Sequence, residues 1–235
     1  MRVLLLLSVL AVAGYATVPA DMSQTLDKPA SSIYKASAAE ETLFPGDQAV
    51  IADADIQKIL EYHMELPEKV HLAVLRMGQE MFYRWYRLEE RPEDDIFHNF
   101  QQQMLQQARF RRVSVLPSLL TPDKRTIPYL REAAARTQAD LLLVYRAGGL
   151  SYTKGFLTND HVKAQAVVEA ILIDVRTGIV PFSTVAQREF EAKKTKADYN
   201  FAETVRKAEQ QAISLALSDI GGQLRHFIEQ VPRKP

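Results

Sequence analysis

The run ADLLLVYR (residues 139–146) constrains the fold of this chain more than any other feature of the sequence. Its length suits a β-strand, and it lacks the alternation of a strand that keeps one face in water. A strand that is apolar on both sides must be covered on both sides, and the helices that connect parallel strands supply such cover. The chain is therefore predicted to be an α/β protein with this strand inside its sheet.

Four other segments carry strand signals, and the last two are separated by a short turn. Residues 176–178 (Arg-Thr-Gly) supply that turn, so the two strands around it are predicted to form a hairpin. Pro181 has no N–H to donate to a ladder, which favours an edge position for the strand that follows the turn. The predicted segments lie at 69–77, 111–116, 162–175 and 180–186.

Three helices are predicted before and between the first strands, because Asp and Thr can cap a helix and proline suits a first turn. The first has an apolar face made of Ile56, Ile59 and Leu60. The three helices are expected to run from Asp53 or Asp55 to Glu65, from Asp94 or Asp95 to Ala108, and from Thr126 to Thr137.

A fourth helix gives the clearest signal in the chain. Asn200 followed by Glu203 predicts a capping box, and apolar residues recur at spacings of three or four up to Ile228. A stripe of this kind most often packs on a sheet. Residues 51–235 are therefore predicted to form a single α/β domain. Its mixed sheet would have a parallel βαβαβ part, then an antiparallel hairpin, with a long C-terminal helix packed on it.

The N-terminus has the pattern of an export signal. Arg2 is followed by an apolar run from Val3 to Ala13 that is too short to span a bilayer, and small residues follow. Residues 1–16 are predicted to be a signal peptide, with a second acceptable cleavage point after Ala20. Residues 17–50 are polar and predict a flexible tether, although a terminus without a role would have the same composition. The expected location is the periplasm or the outer membrane of a bacterium.

Motifs that would indicate an enzyme are missing from the sequence. The chain has no cysteine, and none of its five histidines lies two or four residues from another. There is no nucleophile elbow, phosphate-binding loop or dinucleotide fingerprint. We therefore predict no catalytic, cofactor-binding or metal-binding residues, and we interpret His71 as a buried, hydrogen-bonded histidine. A hydrolase whose site is assembled only by folding stays open as an alternative.

Arginines alternate with aromatic residues in one segment, MFYRWYR (residues 81–87), named here the aromatic–arginine segment. Both residue types are enriched at binding hot spots, although core aromatics with flanking charges would look the same. Stacking on nucleobases or glycan rings is a further alternative. Equal numbers of acidic and basic residues, 29 each, argue against nucleic acid. The predicted partner-binding residues are Tyr83, Arg84, Trp85, Tyr86 and Arg87.

Two motifs carry a resemblance to a known group of proteins. A helix runs into the strand that begins Ala139-Asp140, and a later strand ends in the turn Asp174-Val175-Arg176-Thr177-Gly178. Over about residues 69 to 231 the chain resembles the bacterial envelope superfamily typified by the curli secretion lipoprotein, the activator lipoprotein of a penicillin-binding protein, and the TolB amino-terminal domain. Lipoprotein leaders have a cysteine where this chain has Tyr15, so thioether lipidation is not expected.

The resemblance implies a non-catalytic accessory role in assembly, secretion or activation of another envelope component. It implies a partner that is another envelope protein, with a homo-oligomer as a second expectation. It implies no cofactor, and no transmembrane segment is expected once the leader has been removed.

Overall fold

The computed structural model of this chain describes residue 43 and residues 52–78, 92–154 and 161–234. All of these residues belong to one compact unit. In chain order the elements are α1 (Asp53–Leu60), β1 (Val70–Met77), α2 (Pro92–Leu105), β2 (Phe110–Val115), a 3₁₀ turn (Ser118–Leu120), α3 (Ile127–Arg136), β3 (Leu141–Lys154), β4 (His161–Asp174), β5 (Phe182–Lys193) and α4 (Phe201–Gln230).

The five strands form one mixed sheet in the order β2-β1-β3-β4-β5. β1 pairs in parallel with both β2 and β3, while β3 with β4 and β4 with β5 are antiparallel pairs. The predicted fold class is confirmed: a parallel part with helical connections precedes an antiparallel hairpin. β5 lies at the edge directly after Pro181, as that residue predicts.

β3 lies in the middle of the sheet and contributes to a core on each face. Leu141 and Leu143 belong to a large cluster with α2 and α4, and Leu142 and Val144 belong to a second cluster with α3. All three leucines are fully buried, and Val144 is buried as well. The unbroken apolar run is thus explained, because helices cover both sides of this strand.

α4 packs on the sheet along the predicted stripe. Near its N-terminus Ala208 and Ala212 pack against Val162, Ala164 and Ala166 of β4, where small side chains allow close approach. The cap is also as predicted, because the Asn200 side chain accepts a hydrogen bond from the Glu203 N–H. The Glu203 carboxylate accepts in return from the N–H of Tyr199, one residue earlier than in the usual box.

The helix boundaries predicted for α1 and α2 are wrong by a few residues. α1 ends at Leu60 instead of Glu65, and none of its residues is buried; Leu60 is 74% exposed. α2 begins at Pro92, so Asp95 lies within its first two turns instead of capping it. Proline favours the first helical position, because its missing N–H would have no partner there anyway.

β3 is longer than its apolar run indicates. It continues through Gly148 and Gly149 to Lys154, whereas the apolar run ends at Arg146. The reason is β4, which pairs with every residue from Leu141 to Lys154. A continuous antiparallel ladder, in which every second residue exchanges both backbone hydrogen bonds with the neighbouring strand, outweighs the low strand propensity of two glycines.

Candidate functional site

The two motifs that carry the family resemblance meet at one end of the sheet, where β1 and β3 begin and β4 ends. The first motif starts at the exit of α3. The N–H of Gln138 donates to Ala135 O at 2.9 Å and the N–H of Ala139 donates to Ala134 O at 3.2 Å. Gln138 has a φ of 59°, the left-handed conformation that closes such a helix end. This reversal delivers Asp140 to the start of β3.

Asp140 joins three elements of the fold. Its carboxylate accepts a hydrogen bond from the backbone N–H of His71 at 2.9 Å, at the start of β1. Its own backbone N–H donates to His71 O, and its carbonyl accepts from the N–H of Val175, beyond the end of β4. The guanidinium groups of Arg111 and Arg176 lie 3.9 and 3.7 Å from its carboxylate.

His71 is a buried histidine whose two ring nitrogens are both occupied. Nδ1 lies 3.0 Å from the carbonyl oxygen of Gln138, so it carries the proton. Nε2 lies 2.8 Å from the Ser114 hydroxyl and accepts its hydrogen bond. Burial lowers the pKa of the imidazole, with Arg112 and Arg111 acting in the same direction against the carbonyl of Gln138 and Asp140. This ring is therefore held neutral and has no lone pair left for a metal.

The second motif closes the β4–β5 hairpin through Asp174. One carboxylate oxygen of Asp174 accepts from the Arg176 N–H at 2.9 Å, and the Gly178 N–H donates to the Asp174 carbonyl at 2.7 Å. Gly178 has a φ of 79°, which favours glycine at this position. The Thr177 hydroxyl accepts from the Ile179 N–H at 3.2 Å. Each specified residue of the D-x-x-T-G pattern thus has a structural task in the turn.

The remaining oxygen of Asp174 accepts a hydrogen bond from the hydroxyl of Tyr62, in the segment that follows α1. Asp174 is buried, and this bond satisfies a carboxylate that would otherwise be costly to bury. Burial, and then the bond to Asp174, raise the pKa of the Tyr62 phenol to about 12. Tyr62 is consequently a hydrogen-bond donor throughout the physiological range.

Arg131 of α3 holds the hairpin turn from the other side. Its Nε donates to Val175 O and its Nη2 donates to Arg176 O, each at 2.7 Å. A shallow cavity of about 520 Å³ lies between α3 and this turn, with Arg131, Asp140 and Arg176 in its lining. Hydrogen bonds that hold the backbone engage most polar groups here, which indicates a structural role for this end of the sheet.

The other histidines lie on the surface. His63, His98, His161 and His226 are all exposed. Within the described residues, no three side chains of His, Cys, Asp or Glu converge to hold a metal ion. The same part of the chain contains no helix with the length and apolar character needed to cross a bilayer.

The partner-binding residues predicted from the sequence, Tyr83 to Arg87, lie outside the described residues. The structure instead brings together Tyr62, Arg111, Arg131 and Gln138, none of which has a sequence signal of its own. The side chains of Tyr62, Arg111 and Arg131, and the carbonyl of Gln138, contact groups that are distant in sequence. His71 and the residues of the two motifs, Asp140 and Asp174 among them, could be identified in advance.

Comparison with known proteins identifies similar structures but no sequence family. No family model matches the chain, and no curated protein matches its sequence. A variant PelC dodecamer from Paraburkholderia phytofirmans is 14% identical, covering 68% of this chain and 94% of that chain with a TM-score of 0.38. A minor lipoprotein from Acinetobacter baumannii is 8% identical, covering 70% and 97% with a TM-score of 0.34.

The LpoB C-terminal domain from Salmonella enterica is 13% identical, covering 56% of this chain and 90% of that chain with a TM-score of 0.28. One of these three structures is named as a lipoprotein. At these identities the likeness concerns the fold.

Proposed function

We propose that this chain is an exported, non-enzymatic accessory protein of the bacterial cell envelope that binds another envelope protein. The observation that carries the proposal is the leader, residues 1–16, in which a cationic start, an apolar run and small residues form an export address. Residues 17–50 would then act as a tether for the domain formed by residues 51–235. Because Tyr15 has no thiol, the mature protein would carry no thioether-linked lipid.

Three ionisable groups with shifted pKa values serve to fix the structure. A general acid or base works best with a pKa near the working pH. Backbone and side-chain hydrogen bonds from Thr195, together with Lys207, lower the pKa of Asp198 far below neutrality, and Glu203 and Asp198 raise the pKa of Lys207. These shifts hold both groups charged, and His71 is held neutral with both nitrogens occupied. The groups are suited to fixing structure rather than to transferring protons.

Two surfaces are proposed for the partner. One is the aromatic–arginine segment, with Tyr83, Arg84, Trp85, Tyr86 and Arg87 as its contact residues. The other is the outer edge of β5, a strand of 12 residues on which an extended segment of a partner could add by backbone pairing. Val185 on this strand is 61% exposed, and the charges of Arg188 and Glu189 would discourage indiscriminate pairing.

Photo-crosslinking in living cells tests both surfaces. A photoactivatable aromatic residue is placed at position 85, at position 185, or at position 119, where Leu119 is 97% exposed and belongs to neither surface. We expect one discrete crosslinked envelope protein from position 85 or 185 and none from position 119. Equal capture from all three positions, or none from either proposed surface, would contradict the proposal.

Mass spectrometry of the mature protein tests the export address separately. We expect an N-terminus at Thr17 or Asp21, with no lipid added, in an envelope fraction. An intact polypeptide that begins at Met1 and resides in the cytosol would remove the basis of the proposed role.

A further inference from the structure

A groove beside the first half of α4 is lined by residues that belong to neither sequence motif. It lies between α2, the end of β5 and the first half of α4, and its volume is about 510 Å³. That volume falls within the range of small-molecule sites. We infer that this groove binds a neutral saccharide. The inference rests on the proposed function in one respect, because an exported protein would encounter the glycans of the envelope.

Two polar groups in the lining have no hydrogen-bond partner among the residues that the structure describes. Thr204 is only 2% exposed, and its hydroxyl is buried without a partner in the structure. The side-chain nitrogen of Gln210 is in the same state. Buried polar groups are almost always hydrogen-bonded, because leaving one unpaired forfeits its hydration. Both residues line the groove, so a ligand that donates and accepts hydrogen bonds would explain why α4 has them there.

The charges in the groove largely cancel. The Lys207 ammonium lies 2.9 Å from the Asp198 carboxylate and 2.8 Å from that of Glu203. The carboxylate of Asp198 also accepts from the Thr195 N–H at 2.7 Å and from the Thr195 hydroxyl at 2.9 Å. Asp95 and Lys193, one of each sign, complete the charged lining. Glu203 is not part of the lining, and the four charged residues that are, two acids and two bases, favour a ligand without net charge.

The rest of the lining has the mixed character that a sugar ring needs. Asn99, Gln211 and Ser214 offer neutral amide and hydroxyl groups, which can both donate and accept as sugar hydroxyls do. Ile96, Phe190 and Ala208 give an apolar side on which the C–H face of a ring can pack. A simple ion would use none of this apolar surface, and a purely apolar ligand would leave the amides unpaired.

The test compares binding with thermal stability in the full-length mature protein. Thr204→Val keeps the shape of the side chain and removes the unpaired hydroxyl. Thr184→Val is the matched control, because the Thr184 hydroxyl donates to Gln223 outside the groove. The probes are chitotetraose, cellotetraose and maltotetraose, titrated by calorimetry up to roughly 10 mM, which detects dissociation constants in the millimolar range.

We expect one of these saccharides to bind the unaltered protein. Thr204→Val should weaken that binding about tenfold, which corresponds to about 1.4 kcal/mol. The same substitution should raise the Tm by about 2–4 °C, since it removes a buried group that lacks a partner. Thr184→Val should leave binding unchanged and should not raise the Tm.

Gln211→Ala provides a second variant if Thr204→Val folds poorly, and it should also weaken binding about tenfold. The inference is overturned if none of the three saccharides binds, or if Gln211→Ala and every folded Thr204→Val preparation bind as well as the unaltered protein. Crosslinking of a partner protein through position 185 would be unaffected by either result. Failure of the saccharide site is therefore distinguishable from failure of the proposed function.

Discussion

Gly221 of α4 lies so close to Gln103 of α2 that a Cβ atom on the glycine would be 2.8 Å from the Gln103 Oε1. The same atom would lie 3.2 Å from the ring of Phe100, which is buried. The next residue, Gly222, has nothing within 4 Å of its Cβ position among the described residues. α4 is one continuous helix through both glycines to Gln230.

These two glycines provide a matched pair of substitutions. Gly222→Ala should stabilise the protein by about 0.5–1 kcal/mol, because alanine has the higher helix propensity. Gly221→Ala gains the same propensity but must displace Gln103 and crowd Phe100, and overpacking of this kind costs about 1–3 kcal/mol. Urea unfolding should therefore rank Gly222→Ala above the unaltered protein and Gly221→Ala below it. Equal stabilities of the two variants would show that the helices do not approach this closely.

Removing the Tyr62 hydroxyl should destabilise the protein. Tyr62→Phe leaves one oxygen of the buried Asp174 without its donor, and an unpaired buried acceptor costs about 1–3 kcal/mol. Tyr129→Phe is the control, because Tyr129 is 49% exposed. Urea unfolding at neutral pH should show the loss in the first variant only. If Tyr62→Phe left the free energy of unfolding unchanged, the Asp174 turn would not be part of the cooperatively folded core.

The same bond predicts a loss of stability in alkali. The folded-state pKa of Tyr62, about 12, lies above the ordinary tyrosine value of 10.0, so folding favours the protonated phenol. This contribution is complete below pH 10 and is lost as the pH rises through 12. The unaltered protein should therefore lose more unfolding free energy between these two pH values than Tyr62→Phe does. If the unfolding free energies of the two proteins fell equally over this pH interval, the raised pKa of Tyr62 would be contradicted.

His71 predicts a loss of stability in weak acid. Its folded-state pKa lies below the ordinary value of 6.5, so the unfolded chain takes up a proton at a higher pH than the folded chain does. The unfolding free energy should fall as the pH drops below about 6.5 and should level off once the folded imidazole is also protonated. Arg111, Arg112 and Asp140 are the charged groups that act on the ring.

Chemical unfolding at a series of pH values from 7.5 to 5 measures this effect, in an interval that lies above the ordinary range of carboxylate titration. His71→Gln is the comparison, since it keeps a polar side chain without a titrating group. The unfolding free energy should fall less steeply with decreasing pH in this variant. An identical slope in both proteins would show that His71 does not titrate differently on folding.

Gln138 adopts a left-handed backbone conformation that costs a residue with a Cβ atom about 1–2 kcal/mol. Gln138→Gly should therefore stabilise the protein by about 1 kcal/mol, since its carbonyl can still accept from His71 and its N–H can still close α3. Gln138→Ala retains the Cβ atom and should give no such gain. Thermal unfolding of the two variants checks the prediction, which fails if alanine and glycine are equivalent.

Each of the two sequence motifs has a structural task in the fold. Asp140 is needed where the closing turn of α3 meets β1, and Asp174, Thr177 and Gly178 are needed where the hairpin turns. Both aspartates were identifiable in the sequence, because turn chemistry is local and leaves a local signature. Their meeting at one end of the sheet was not identifiable, since it depends on the pairing of β3 with β4 along their whole length.

Local periodicity and turn chemistry in the sequence were sufficient to determine the α/β class, the buried middle strand, the hairpin and the capped helix that packs on the sheet. Only the tertiary structure decided how far β3 runs past its glycines, how close Gly221 lies to Gln103, and that the buried Thr204 hydroxyl has no partner among the described residues. The reason is that periodicity reports which side of an element is apolar, whereas lengths, close approaches and unpaired groups depend on neighbours that are distant along the chain.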